Sequence, residues 1–207
     1  MGYRVAVLGQ KSYNGVALLS RSPASDVLTT LPGNKADSQA RYIEASFGKL
    51  RIASVYLPNG NPAPGPKFDY KLDWMKRLKA HARSLLDREI PFALVGDFNV
   101  CPTDADVYNP EAWREDALCR PESRSLFRAL VNLGLTDSFR ALHPNDRRYT
   151  YWDYMQRRFE TDHGLRIDHI LLSPQAADRL VAVDIDKAPR AKDKPSDHTP
   201  VWCEIDL

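Results

Sequence analysis

The feature of this sequence that most restricts its fold is a series of short apolar runs, nearly all of them beside Gly, Pro, Asn or Asp. Runs of this length that are rich in Val, Ile and Leu and bounded by turn residues are typical of β-strands. They cover residues 4–8, 16–20, 42–46, 50–56, 92–95, 167–172, 181–185 and 200–205. Because the runs are apolar on both alternating faces, the pattern predicts sheets that are covered on both sides.

Two helices are predicted between these strands. Leu72, Met75, Leu78, Ala82 and Leu85 recur at helical spacing, which predicts an amphipathic helix over about residues 68–87. Its other face is interpreted as a solvated surface, with the basic residues Lys71, Lys76, Arg77, Lys79 and Arg83. A second helix is predicted to begin near Ser123. Strands covered by helices indicate an α/β or α+β sandwich.

Composition limits the class of protein. The 207 residues are 43% hydrophobic and 27% charged, which is ordinary for a globular chain, and no repeat or polar linker divides them. We therefore expect a single domain over residues 1–207. The longest apolar stretches fall far short of the ~20 residues that cross a bilayer. Three cysteines without C-x-x-C spacing predict neither a disulfide framework nor a zinc site, so a cytoplasmic location is expected.

Charge does not by itself identify a partner. The net charge is +2, so composition alone does not predict a nucleic-acid-binding protein, and any polyanion site has to be local.

The segment 90–99 ends a buried strand with Gly-Asp-Phe-Asn. Asp97 and Asn99 are two residues apart, so on an extended chain their side chains point the same way and can reach one ligand. The acid can accept a proton or hold a cation, and the amide can donate to an oxyanion. The alternative is an Asx turn that only closes the strand.

A second acid lies inside an apolar strand. Asp168 is flanked by Ile167 and Ile170, where an unpaired carboxylate would be costly. It needs a cation, a histidine or hydrogen-bond donors, as does an acid that orients a catalytic histidine. His169 points to the opposite face and is interpreted as structural.

Two further pairs occur at predicted strand ends. Asp197 and His198 stand at the entrance to the last strand and form a candidate catalytic pair, although an isolated Asp-His is a weak signal. Tyr56 and Asn59 follow another strand, where a hydroxyl and an amide could hold phosphate oxygens. Strand-end packing and a turn are the alternative for Tyr56 and Asn59.

Taken in order and spacing, six motifs resemble the exonuclease III family of apurinic/apyrimidinic endonucleases. They are Y-N-G-V-A-L-L-S (13–20), Y-L-P-N-G (56–60), G-D-F-N (96–99), Y-T-Y-W-D-Y-M (149–155), G-L-R-I-D (164–168) and S-D-H-T-P-V-W (196–202). The resemblance implies a four-layer sandwich, in which two mixed β-sheets pack face to face, helices flank them and the active site lies at one end.

The resemblance also implies roles for individual residues. By motif position, His198 contacts the scissile phosphate and Asp168 orients it. Asp97 positions or deprotonates the attacking water beside Asn99, and Tyr56 binds phosphate. Asp197 corresponds to an acid at the metal, for which Mg²⁺ or Mn²⁺ is expected because oxygen ligands favour hard cations.

DNA-facing positions follow from the same resemblance. Tyr13 and Asn14 correspond to a DNA-facing hairpin, and Asn59 lies at the phosphate-binding strand end. Tyr151, Trp152 and Tyr154 correspond to an aromatic segment that lines the pocket for a flipped-out, base-less sugar. Core packing is the alternative for each aromatic residue.

The sequence departs from the family pattern at its start. The family's opening Asn and its principal metal-ligating Glu, in a Q-E-x-K motif, do not occur in these residues. We therefore expect the N-terminal strand–helix–strand unit to be missing from this chain. The leading hypothesis is a Mg²⁺-dependent DNA-repair phosphodiesterase that acts on double-stranded DNA with abasic sites or 3′ ends, without a membrane or an obligate protein partner. A truncated, non-catalytic DNA-binding remnant and another phosphoesterase of the superfamily remain alternatives.

Overall fold

The computed structural model describes residues 2–207. The strands are β1 (Arg4–Gly9), β2 (Gly15–Ser20), β3 (Ser25–Leu28), β4 (Tyr42–Phe47), β5 (Leu50–Tyr56), β6 (Phe92–Asp97), β7 (Thr136–Asp137), β8 (Asp168–Leu172), β9 (Leu180–Ile185) and β10 (Val201–Ile205). The helices are α1 (Pro66–Leu86), α2 (Pro121–Val131), α3 (Ser138–Leu142) and α4 (Pro174–Ala177). Short 3₁₀ turns occur at Asp104–Asp106, Met155–Arg157 and Ala188–Ala191.

A mixed sheet of six strands forms the centre, in the order β3-β4-β5-β6-β8-β7. Only β5 and β6 run parallel among these pairs, and a parallel pair needs a crossover connection. Helix α1 supplies that crossover and packs with α2 on one face of the sheet, around Trp74, Leu78, Leu94 and Phe127. One face of the central sheet is therefore covered by helices.

Two antiparallel hairpins cover the other face. Val16 and Leu18 of β2 pack on Ile43 and Ala45 of β4. At the other end, Val201 and its neighbours in β9–β10 pack on the cluster formed by β6 and β8. The expected sandwich is confirmed, with one difference: the second layer consists of two separate hairpins, because no strand among residues 2–207 pairs with both.

The predicted strands all occur, with boundaries that differ by a few residues, and the two predicted helices begin at Pro66 and Pro121. Sequence analysis missed β3, β7, α3 and α4 because segments of two to five residues carry too little periodicity to detect. None of the helices among the described residues is long and apolar enough to cross a membrane.

The expectation that the basic face of α1 is solvated is wrong for two of its residues. Lys71 is fully buried and Arg77 is 9% exposed. Arg77 donates to Asp37 at 2.6 Å and to Asp73 at 3.1 Å, which compensates its charge. The charge of Lys71 is compensated differently, because its Nζ donates to the backbone carbonyls of Asn59 and Asn99.

Gly96 fixes how closely β6 approaches β5. Its φ is +131°, and a Cβ at this position would lie 2.2 Å from the carbonyl oxygen of Val55. Only glycine avoids that clash, so the strand can bring the next residue, Asp97, to the sheet edge beside β5.

Candidate active site

Three neighbouring strands bring polar side chains to one edge of the central sheet. Tyr56 ends β5, Asp97 ends β6, and Asp168 begins β8. In the sheet register Tyr56 pairs with Asp97, and Asp97 pairs with Asp168. Because β8 runs antiparallel to β6, the start of β8 meets the end of β6. The three predicted residues therefore form one row.

Asn99 holds the carboxylate of Asp97 in place. The backbone N–H of Asn99 donates to Oδ1 of Asp97 at 2.8 Å, and the Asn99 side chain donates to Oδ2 at 2.8 Å. Asn99 has a positive φ of 47°, which turns the chain back over the carboxylate. The Asx turn suggested as an alternative is thus present, and it orients the acid towards the cavity at the sheet edge.

His198 joins this row from the loop before β10. Its Nδ1 lies 2.8 Å from Oδ2 of Asp168. Backbone bonds fix the loop, because Trp152 N–H donates to the carbonyl of Asp197 at 2.9 Å and Thr199 N–H donates to the carbonyl of Thr150 at 2.8 Å. With Nδ1 occupied by Asp168, Nε2 is the ring nitrogen left to meet a ligand.

The charged groups of this cluster shift the pKa values of Asp97 and His198. Burial and the neighbouring Asp168 raise the pKa of Asp97 to about 7, although His198 opposes the shift. Burial would lower the pKa of His198, but the hydrogen bond and charge of Asp168, with Asp97 and Asp197, raise it to about 9. The site therefore combines a readily protonated acid with a cationic histidine.

Lys71 binds two loops of the site and was not recognised as a site residue from the sequence. Its Nζ donates to the carbonyl oxygens of Asn99 at 2.6 Å and Asn59 at 3.0 Å. A Cβ on Gly60 would lie 2.6 Å from Lys71 Cδ, so glycine makes room for this side chain. The available signal was its position: Phe68, Lys71, Met75 and Leu78 follow helical spacing on the buried stripe.

Asn59 connects the two loops that Lys71 bridges. Its side-chain amide donates to Oδ1 of Asn99 at 3.0 Å, and the Asn99 amide donates to the carbonyl of Leu57 at 2.9 Å. Tyr56 stands beside them, with the Arg41 guanidinium 4.9 Å from its ring centre. The structure thus brings together all five residues predicted to be catalytic, and Asn59 with them.

These side chains line a cavity of about 250 Å³. Its polar side carries Tyr56, Asn59, Asp97, Asn99 and His198, with Asn61 and Asp116. Its apolar side carries Trp113, Leu118, Tyr151, Leu165 and Ile167. Of the apolar group, sequence analysis identified only Tyr151, because the others come from loops whose convergence has no local sequence signal.

Oxygen atoms dominate the donors available for a cation. Asp97 is engaged by Asn99 and Asp168 by His198, whereas no hydrogen bond to the Asp197 carboxylate occurs within residues 2–207. The charge of Asp197 acts on both Tyr56 and His198. This chemistry fits a hard divalent cation held in part by Asp197, although no group of three His, Cys, Asp or Glu side chains with metal-binding geometry occurs in the described part.

The aromatic segment divides into exposed and buried residues. The Tyr151 ring lies 5.1 Å from the His198 ring and faces the cavity. Trp152 is fully buried, packs against Phe159 and donates from Nε1 to Asp162 at 3.1 Å. The expectation that Trp152 contacts DNA is therefore corrected, because its indole has no exposed surface. Tyr154 is 60% exposed and donates to the carbonyl of Pro195 at 2.8 Å.

The hairpin residues are not part of the cavity. Tyr13 is 91% exposed at the β1–β2 turn, and Asn14 donates to Gln39 at 3.2 Å.

His169 lies on the opposite face of β8 from Asp168, as predicted, and its Nε2 is 2.9 Å from the carbonyl of Val100. Burial and the nearby Arg166 lower the pKa of His169 to about 4, so it is neutral at pH 7.

Sequence comparisons identify similar proteins over nearly the whole chain. A family model described as "Endonuclease/Exonuclease/phosphatase family" matches residues 2–198. The chain is 37% identical to exodeoxyribonuclease III of Haemophilus influenzae, over 99% of this chain and 81% of that protein. It is 32% identical to DNA repair nuclease APEX1 of Danio rerio, over 93% of this chain and 60% of that protein.

Solved structures give the same result. The 3′ phosphatase NExo from Neisseria, bound to a product DNA hairpin, matches with a TM-score of 0.97 and 44% identity, over 100% of this chain and 80% of that one. An AP endonuclease from Archaeoglobus fulgidus matches with a TM-score of 0.95 and 33% identity, over 100% and 80%.

Proposed function

Because the chain belongs to the endonuclease/exonuclease/phosphatase family and is an exodeoxyribonuclease III-like nuclease, we propose that it hydrolyses phosphoesters of double-stranded DNA at abasic sites and 3′ ends. The relatives named above include an exodeoxyribonuclease III, an AP endonuclease and a 3′ phosphatase. Their substrates share one chemistry, which is attack on a phosphorus bound to a deoxyribose oxygen.

The observation that carries the proposal is the pairing of His198 with Asp168 beside Asp97. His198 Nδ1 lies 2.8 Å from Asp168 Oδ2, and Asp97 pairs with Asp168 in the register of the adjoining strands. One cavity of about 250 Å³ receives both His198 and Asp97, so a phosphate in it meets a histidine and a carboxylate together. This is the geometry that a hydrolytic water and a phosphoryl oxygen require.

Each side chain has a distinct task in this proposal. Asp97, held by both donors of Asn99, accepts the proton of the attacking water. His198 presents Nε2 to a phosphoryl oxygen, and Asp168 keeps its ring in orientation. Tyr56 and Asn59 donate to the remaining oxygens as negative charge develops on them.

A divalent cation complements these residues. We propose Mg²⁺, with Mn²⁺ as a substitute, and Asp197 as a ligand because its carboxylate oxygens are free of hydrogen bonds within the described residues. When bound, the cation neutralises the charge that otherwise repels the nucleophile from the phosphodiester.

Contacts to DNA are proposed on both sides of the cavity. Tyr13 and Asn14 approach DNA from the hairpin, while Tyr151 and the exposed Tyr154 approach from the aromatic segment. Trp152 supports that segment from the interior.

Residues 1–207 are proposed to act as one domain, because the candidate active site draws on loops that extend from residue 56 to residue 198.

A panel of substrates tests the function. Hydrolysis of a 3′-phosphorylated duplex, an abasic duplex and an intact blunt duplex is measured with Mg²⁺, together with a phosphoinositide as a substrate without a nucleotide. We expect hydrolysis of the DNA substrates that have a lesion or a 3′ phosphate. Exclusive hydrolysis of the phosphoinositide would assign the chain to another phosphoesterase activity, and tight DNA binding without hydrolysis would support the non-catalytic alternative.

A further inference from the structure

A second cavity lies beside the aromatic segment, outside the catalytic cavity. Its volume is about 430 Å³, and it is formed by residues 153–160 on one side and 190–195 on the other. We call it the basic cavity, since its charged lining consists of Arg157, Arg158, Arg190 and Lys192 against Asp153 and Glu160. The four cations outnumber the two acids, so an anion is the ligand it favours.

Arg190 is a buried cation in the wall of this cavity. It is 7% exposed, and its Nη2 donates to the carbonyl of Trp152 at 3.1 Å. The Cζ atom of its guanidinium lies 5.1 Å from the ring centre of Tyr154 and 5.0 Å from that of Phe159. Its buried Nε has no hydrogen-bond partner among the described residues. A buried donor without a partner is costly, and an anionic oxygen would satisfy it.

Two cations at the rim are free to bind a ligand. Arg157 and Lys192 are exposed, and neither forms an ion pair within residues 2–207. In contrast, Arg158 is engaged by the hydroxyl of Tyr108 and by Gln156. A ligand can therefore gain contacts to Arg157 and Lys192 without breaking an existing ion pair.

The basic cavity is continuous with the catalytic loops. The segment 153–160 follows Tyr151 and Trp152, and the segment 190–195 precedes Asp197 and His198. The two segments are joined by the Trp152 N–H bond to Asp197 at 2.9 Å and by the Tyr154 hydroxyl bond to Pro195 at 2.8 Å. Along one strand of duplex DNA, successive phosphates follow each other every 3.4 Å of helix axis. A strand with one phosphate at His198 thus presents further phosphates at this spacing to the segments that adjoin His198.

We infer that the basic cavity binds a phosphate of the DNA strand that continues beyond the scissile phosphate, through Arg157, Arg190 and Lys192. The inference rests on the proposed DNA phosphoesterase function and adds an anchor for the flanking strand. An anchor of this kind strengthens binding of long duplexes without taking part in hydrolysis, since phosphate contacts position DNA and carry no chemistry.

The salt dependence of binding tests this inference. Binding of a duplex of about 20 base pairs is measured by fluorescence anisotropy in EDTA, between about 50 and 200 mM KCl, for wild type and Arg157→Gln/Lys192→Gln. We expect the double variant to bind about tenfold more weakly, with a log Kd versus log salt slope reduced by about 1 to 2. Its kcat on a short 3′-phosphorylated substrate should match that of wild type.

Lys76→Gln/Arg83→Gln is the matched control, because it removes the same charge from exposed positions of α1, away from the cavity. It should leave the slope unchanged. An unchanged slope and affinity in the Arg157/Lys192 variant, or an equal change in the control, would overturn the inference while hydrolysis by the wild type still supports the proposed function. A wild type that neither binds nor hydrolyses DNA would contradict the proposed function itself.

Discussion

The Nδ1 atom of His198 lies 2.8 Å from Oδ2 of Asp168, although Asp168 begins β8 of the central sheet and His198 lies in the loop before β10. The contact leaves one imidazole nitrogen towards the cavity and fixes the plane of the ring. Asp168→Asn removes the charge that holds this ring and should lower kcat by at least ~10²-fold, the scale for losing a proton-transfer or oxyanion-stabilising group.

Steady-state kinetics and thermal melting check this prediction together. Asp178→Asn is the control, because Asp178 is exposed at the end of α4 and does not line the cavity. A near-normal kcat in Asp168→Asn would show that the ring does not need its carboxylate partner.

Lys71→Met should separate support of the loops from binding of DNA. The substitution leaves the carbonyls of Asn59 and Asn99 without the Lys71 donor. This loss costs about 1–3 kcal/mol at the buried Asn99 carbonyl and is offset in part by removal of a buried charge. Movement of Asn99 should lower kcat by at least ~10-fold with little change in KM, because catalytic geometry is sensitive to small displacements.

The exposed Lys76→Met serves as the control on the same helix. Equal kcat values for Lys71→Met and Lys76→Met, with the fold intact by circular dichroism, would remove Lys71 from the active-site support.

Trp152 and Tyr151 are adjacent but should respond differently to alanine. Trp152→Ala empties a fully buried position and should lower the free energy of unfolding by about 3–5 kcal/mol. Tyr151→Ala removes a ring from the cavity wall, so it should mainly impair cleavage of abasic DNA. Urea unfolding and abasic-site kinetics measure the two effects. The reverse outcome, with a stable but inactive Trp152→Ala, would contradict the interior role.

Glu44 does not line the candidate active site, but it makes the free energy of unfolding depend on pH. Burial would raise the pKa of Glu44, but hydrogen bonds from His81, Arg51 and Tyr42 outweigh it and lower the pKa from 4.5 to about 2. A carboxylate with a lowered folded pKa stabilises the protein above pH 4.5, and this contribution is lost as the pH falls towards 2. The shift corresponds to up to about 3 kcal/mol.

Glu44→Gln should therefore be less stable than wild type at pH 7, and the difference should shrink between pH 4.5 and 3. Urea unfolding at both ends of this window measures it, with the exposed Glu204→Gln as the control. A Glu44→Gln variant whose loss of stability is constant over this pH range would exclude this linkage.

Sequence analysis identified Tyr56 and Asp97 because each ends a strand, and Asp168 because a carboxylate inside an apolar strand needs a partner. Strand ends are visible as a change from apolar runs to turn residues. It failed for Lys71, where a charged residue on the apolar stripe was assigned to the solvated face of α1. It also failed for Trp152, because a ring in a core and a ring in a pocket have the same sequence signal. The cavity wall of Trp113, Leu118 and Leu165 depends on loops that converge only in the folded chain.

The basic cavity shows the same limit. Arg157, Arg190 and Lys192 are separated by 33 and 2 positions along the chain, and sequence analysis concluded only that any polyanion site has to be local. Their convergence follows from the backbone bond between Trp152 and Asp197, which no local pattern indicates.

The most direct test of the central claim is single-turnover hydrolysis of a 3′-phosphorylated or abasic duplex by wild type and His198→Ala, each with Mg²⁺ and with EDTA. The account predicts hydrolysis by wild type with Mg²⁺, none with EDTA, and a rate at least ~10²-fold lower for His198→Ala at equal DNA binding. Equal rates for the two proteins, or hydrolysis that persists in EDTA, would contradict the assignment of this site.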